Sequence, residues 1–330
     1  MDLDGCMKYV NLKIRQTPMV VTGITVAVIV LIYAVLNIVT GGKFLAGSNI
    51  LFVLSASVVT TFVVIAFCFM ITMGFMDLSL GSIMILASNA GGILAANLHW
   101  GYFGLIFGSV AVAVCLGLLN IKLMLMSKIP SWVFGLGIAM IYEAIGAMYN
   151  SSQIKIGKQV VSLDAVCREL GSPPWNLIVL AAALFVAYII FNRTSIGFGL
   201  RAVGSNTTVA RMMGINIDKT IILAALCAGF YAGFASAINE SYGNRVGTIT
   251  GLQSISSIFT PLAAYLLAKA LQNIFNIVIG AVMSAVLITS IFNVLTLLGV
   301  PSGTWQEVVM GCSVIVCGIL SQRRFEGVVK

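Results

Sequence analysis

The chain has 330 residues, of which 60% are hydrophobic and 8% charged, with a mean hydropathy of +1.08. A soluble domain carries about 25% charged residues, so this composition excludes one and points to an all-α polytopic membrane protein. The net charge of +8 is spread between apolar stretches and is not gathered into a patch with interleaved aromatics, which argues against nucleic acid as a partner and for the lipid membrane.

A helix needs about 20 apolar residues to cross the hydrocarbon core. The first such stretch, 19–39, follows Lys8, Lys13 and Arg15, but it is too long for a cleaved signal and further spans follow it. The others run near 50–74, 82–98, 101–119, 132–149, 175–191, 220–238, 255–271, 274–297 and 304–320, which makes about ten spans. The third and eighth are rich in small and polar residues, the composition of partly re-entrant segments. Almost all the length is taken up by these stretches, so residues 1–330 read as a single transmembrane domain.

Between the second and third spans lies Met76-Asp77-Leu78-Ser79-Leu80-Gly81-Ser82. Asp77 either caps the third helix or marks a break in the helix beside a cavity. In the fifth span, Glu143 is costly in lipid unless it faces the bundle interior or water, or lies close to the outer interface. With Ser79 and Asn120, these two acids are the candidates for the translocation path. Uncharged polar residues such as Thr60, Thr61, Asn239, Ser256 and Ser257 suit a neutral polyhydroxylated solute and equally suit helix packing. Asp77 and Glu143 stand nearly alone, without the chain of acids, bases or histidines of a proton relay. That weighs against an ion-coupled secondary transporter, the reading from a different class. It leaves open a sodium site built from carbonyls and hydroxyls.

Residues 192–219 interrupt the apolar spans with a polar stretch, either a solvated loop or a docking surface. Its core reads as a short helix over 207–213, with Asn206 as the N-terminal cap and Gly214 in the left-handed conformation that closes the end. Ala210, Met212 and Met213 offer small, adaptable surface, and Arg211 offers charge. Of the 18 Lys and Arg, all but Lys43, Lys155, Lys158, Arg168 and Arg245 fall on the side of the two termini, which makes that side, with 192–219, cytosolic. Trp100, Trp132, Trp175 and Trp305 fall at span ends, where an indole ring is buried and its N–H stays wet.

No catalytic set emerges. Gly41-Gly42-Lys43 and Gly157-Lys158 lack the full phosphate-wrapping pattern, so ATP, if used, belongs to another chain and no cofactor is expected on this one. The seven cysteines, Cys6, Cys68, Cys115, Cys167, Cys227, Cys312 and Cys317, contain no Cys-x-x-Cys pair, and the lone His99 cannot make a metal site.

Taken in order, Met76–Ser82, Lys128-Ile129-Pro130-Ser131, Asn192–Gly199, Ala202–Asn206 and Met213–Asn216 resemble the ribose-type permeases of bacterial ABC importers, over about residues 50 to 300. The resemblance implies a multi-pass protein of the bacterial inner membrane with both termini cytosolic. Its implied partners are a second permease subunit, identical or different, a tandem ATPase and an extracytoplasmic solute-binding protein that delivers a monosaccharide. It also implies that 202–216 is the coupling helix, with Asn206, Ala210, Arg211, Met212 and Gly214 at the ATPase. Gly74-Phe75-Met76-Asp77 departs from the family's usual Gly-Gly-Ile-Asp, and Glu143 follows Tyr142 where an Arg is usual. These departures leave the sugar open, with a nucleoside as the other solute.

Overall fold

A computed structural model describes residues 18–155, 163, 165–243, 253–272, 274–300 and 303–322. Lys8, Lys13, Arg15, Lys158, Arg245, Arg323, Arg324 and Lys330, which enter the orientation argument, and Cys6 lie outside the described residues.

Ten helices among the described residues are long and apolar enough to cross a membrane. They are α1 (Pro18–Val39), α2 (Gly47–Ile71), α3 (Leu80–Asn97), α4 (Gly101–Ser127), α5 (Ser131–Lys155), α6 (Trp175–Arg193), α9 (Ile217–Gly243), α10 (Gln253–Leu271), α11 (Ile277–Leu297) and α12 (Thr304–Gln322). Between α6 and α9 lie α7 (Ser195–Ser205) and α8 (Thr207–Met212), and a short 3-10 helix, Ala165–Gly171, precedes α6. The third and eighth spans, α3 and α10, are unbroken helices, and α10 carries Pro261 inside it. The seventh span runs on to Gly243, which brings Glu240 inside it.

Helices in lipid gain nothing from hiding apolar surface, so close packing must come from small residues that let backbones approach. The centre of the bundle shows this. A Cβ at Gly91 on α3 would sit 2.2 Å from the Ser109 Oγ on α4, and one at Gly233 on α9 would sit 2.5 Å from the Val110 Cα. Thus α4 lies tightly between α3 and α9. Aromatic rings fill the space between α2, α6 and α9, where Phe69 stacks on Phe191 at 4.4 Å and on Tyr231 at 5.6 Å. The helix α1 is peripheral, with exposed Val30, Leu31 and Ile38, and is tied to the bundle by Tyr33 stacked on Phe44 at 5.7 Å.

Candidate functional site: a polar chain, a joint and a cavity

The chain leaves α2 at Thr72, turns at Gly74 with φ +86°, and enters α3 at Leu80. Within this connection Asp77 is 8% exposed, and its Oδ1 accepts two hydrogen bonds from Ser79, from the backbone N–H at 2.8 Å and the hydroxyl at 2.6 Å. The Asn120 Nδ2 donates to the Ser79 Oγ at 2.6 Å, and the Tyr142 hydroxyl donates to the Asn120 Oδ1 at 2.6 Å. One directed chain, Tyr142 to Asn120 to Ser79 to Asp77, therefore joins α5, α4 and the entry to α3. Burial raises the Asp77 carboxyl above the usual carboxylate range, and the two hydrogen bonds from Ser79 oppose the shift.

Asp77 does not cap α3 in the simple sense expected from its position. Ser79 occupies the N-cap position, and Asp77 binds Ser79 itself, two residues on, as an Asx turn does, rather than the first helical N–H groups. The start of α5, with Ser131 of the sequence pattern, also meets this connection. Ser131 at the start of α5 accepts from the Met76 N–H at 3.1 Å, and a Cβ at Gly135 would sit 2.7 Å from the Leu78 N.

Glu143, one residue beyond Tyr142, lies 7% exposed inside the bundle, and its Oε1 accepts from the Ser254 N–H at 2.8 Å at the start of α10. The same end of α10 touches α3, where a Cβ at Gly81 would sit 2.2 Å from the Ser254 carbonyl oxygen. The four path residues named from the sequence therefore divide. Asp77, Ser79 and Asn120 form one chain, and Glu143 holds the neighbouring helix end.

Asp77 and Glu143 are not the only acids enclosed by the bundle. Glu240 on α9 is 5% exposed, and its Oε1 has no hydrogen-bond partner among the described residues. It escaped the sequence reading because the span was ended at residue 238, two residues before it.

The polar stretch forms two helices. The Thr194 side chain caps α7, and Asn206 caps α8, its Oδ1 accepting from the Thr208 and Val209 N–H groups at 2.9 and 3.1 Å. Gly214 has φ +79°, as the helix end requires. The six residues of α8 agree with the short helix read from the sequence, whereas α7 carries no comparable signal beyond Thr194, because its glycines weaken helix propensity. Ala210 is 1% exposed and packs inward; Met212 is 81%, Met213 59% and Val209 50% exposed, and Asn206, Arg211 and Gly214 are also exposed. At the end of α7, a Cβ on Gly204 would sit 1.8 Å from the Thr72 carbonyl oxygen, so α7 abuts the connection that carries Asp77.

Two adjoining cavities share Thr60, Ser257 and Thr260. One of about 290 Å3 reaches Asn239 and Gly81. The other, of about 410 Å3, reaches Thr289, Gln306 and Glu307. Thr60, Asn239, Ser256 and Ser257 were legible as polar residues inside spans. Glu307 was not singled out, because an acid in the first turn of a helix has an ordinary role there.

The chain is 25% identical over 305 residues to an autoinducer 2 import system permease protein of Yersinia pseudotuberculosis serotype O:3 (strain YPIII), covering 90% of this chain and 83% of the relative. It is 27% identical over 312 residues to the protein of the same description from Yersinia pestis (strain Pestoides F), again covering 90% and 83%. No solved structure matches it. The family described as branched-chain amino acid transport system / permease component matches residues 49–317, from the start of α2 into α12. The chain belongs to this family and is a permease component of an ABC-type importer.

Proposed function

We propose that the chain forms the translocation path for a monosaccharide or similar small polar solute in the bacterial inner membrane and docks on a separate ATPase through α8. The observation that carries the docking is the exposed apolar cluster of Val209 and Met212 on a six-residue helix and Met213 at its C-cap, outside the ten spans. Apolar groups clustered on a short polar loop mark an interaction surface, and methionine adapts to a partner. Arg211 adds a charge beside them, and Ala210 and Gly204 seat the surface on the bundle. ATP is bound and hydrolysed by the partner, and this chain carries no catalytic residue. A second permease subunit and an extracytoplasmic solute-binding protein complete the importer, and both termini are cytosolic.

The relatives named above are described as permeases of an autoinducer 2 import system, not of an amino acid system. An amino acid, the solute in the family's description, carries a carboxylate that is best matched by a cation or by free N–H groups at a helix N-terminus. The lining of the two polar cavities contains no Lys, Arg or His among the described residues. The docking is tested by Arg211→Glu combined with Gly214→Val. Co-purification of the ATPase and uptake are expected to fall at least about tenfold while membrane insertion persists, since a reversed pair that is desolvated costs a few kcal/mol. Survival of both would remove the docking assignment.

A further inference from the structure

We infer that the two adjoining cavities are a waiting site for an uncharged, hydroxyl-rich solute, and that Glu307 is the residue that turns away anionic analogues. This rests on the importer reading above, which supplies the solute, and goes beyond it by assigning the site and its selectivity.

The walls decide the class. Thr60, Ser257 and Thr260 stand where the cavities of about 290 and 410 Å3 meet, and cavities that hold small molecules have volumes of about 300–1,000 Å3. A hydroxyl both donates and accepts, so the three hydroxyls where the cavities meet match a solute whose own groups do the same, beside the apolar Val59, Val63, Met84 and Ile85 of the smaller cavity. Of the wall hydroxyls, Thr289 Oγ1 is buried and has no partner among the described residues, whereas Thr260 donates only to the Met310 sulfur, at 3.3 Å. The Thr260 hydroxyl is better satisfied by a solute hydroxyl than by the Met310 thioether, a weak acceptor, whereas Thr289 Oγ1 is enclosed behind the wall.

The charge decides the exclusion. Glu307 is the only ionisable side chain in the described lining of either cavity, and it lies in the first turn of α12 beside Gln306. A carboxylate with two acceptor oxygens takes a pair of solute hydroxyls, and the neighbouring amide can both donate and accept. A solute carboxylate or phosphate meets like charge there and finds no cation among the described lining residues.

The test uses the full chain in intact cells, in a cysteine-free background, with Ser257→Cys as reporter because its exposed side chain borders both cavities. Ser256→Cys is a second reporter in case the first fails to insert. Neutral hydroxyethyl and anionic sulfonatoethyl methanethiosulfonates are added from outside. We expect the neutral reagent to react faster. Glu307→Gln should raise the anionic rate relative to the neutral one by about fivefold, the effect of one unit charge at close range in a wet site. D-ribose, D-xylose or ribitol at high concentration should slow the neutral reagent, whereas D-ribonate should not. The inference is overturned if neither reporter reacts, if Glu307→Gln leaves the ratio unchanged, if none of the three polyols protects, or if ribonate protects equally. None of these readouts uses ATP or the ATPase, so their failure is separate from failure of the importer reading, which shows as absent ATP-driven uptake.

Discussion

Asp77 is held by two hydrogen bonds from a single residue, Ser79, and that geometry decides what a substitution does. Asp77→Asn keeps an oxygen for the Ser79 N–H, so uptake at equal membrane abundance should fall only partly. Asp77→Leu strands the Ser79 N–H and hydroxyl in the bundle, at about 1–3 kcal/mol for each buried group left unpaired, and should nearly abolish uptake while lowering the detergent melting temperature. Full uptake by Asp77→Leu would show that the turn carries no weight. Asn120 links Ser79 to Tyr142, with both of its side-chain atoms engaged at 2.6 Å. Asn120→Leu should therefore cost about as much as Asp77→Leu, and the double variant should cost much less than the sum, because the groups share one network. Additive losses in the same melting assay would mean the chain is not a unit. The sequence marked Asp77, Ser79 and Asn120 separately, as residue types that are expensive in lipid. That they bond to one another was not legible, because 41 residues separate Ser79 from Asn120 and no local pattern pairs them.

Among the elements, the informative contact is between helix ends. Gly204 at the end of α7 meets Thr72 at the end of α2, the 72–79 connection leads into α3, and Gly81 of α3 meets Ser254 of α10, whose N–H Glu143 holds. Movement of α7 thus has a continuous packed route to the α10 segment that borders the cavities. Gly81→Val would drive a branched side chain into the Ser254 carbonyl, where even a Cβ comes within 2.2 Å, so α3 and α10 must separate. We expect ATPase binding to be retained and uptake to be lost, measured by co-purification and transport on the same membranes. Loss of ATPase binding instead would place the defect in folding. Glu143→Gln preserves an acceptor for Ser254 and should be tolerated, whereas Glu143→Leu should behave like Gly81→Val. Most helix positions were legible from apolar length alone, to within a few residues at each end. The ends of α4 and α9 run further than the apolar signal because polar residues such as Asn120 and Glu240 are satisfied or enclosed inside the bundle, which a hydropathy window scores as boundary. Ala210 shows the same limit in reverse: its small size fits a partner surface or a tight internal contact, and only the fold selects the inward one.

For the molecule as a whole, the placement of Lys and Arg predicts sidedness. In a cysteine-free background, Glu169→Cys in the 3-10 helix should be labelled from outside intact cells by an impermeant thiol reagent, and Ser205→Cys at the end of α7 should not. External labelling of Ser205→Cys would invert the topology. The central claim is that ATP, hydrolysed by a partner seated on α8, drives solute through this bundle. It is tested most directly in proteoliposomes that contain the chain with its cognate ATPase and solute-binding protein, using the solute released from that binding protein. The account predicts accumulation that requires ATP on the α8 face and persists when proton and sodium gradients are collapsed. Accumulation driven by either gradient without ATP would contradict it.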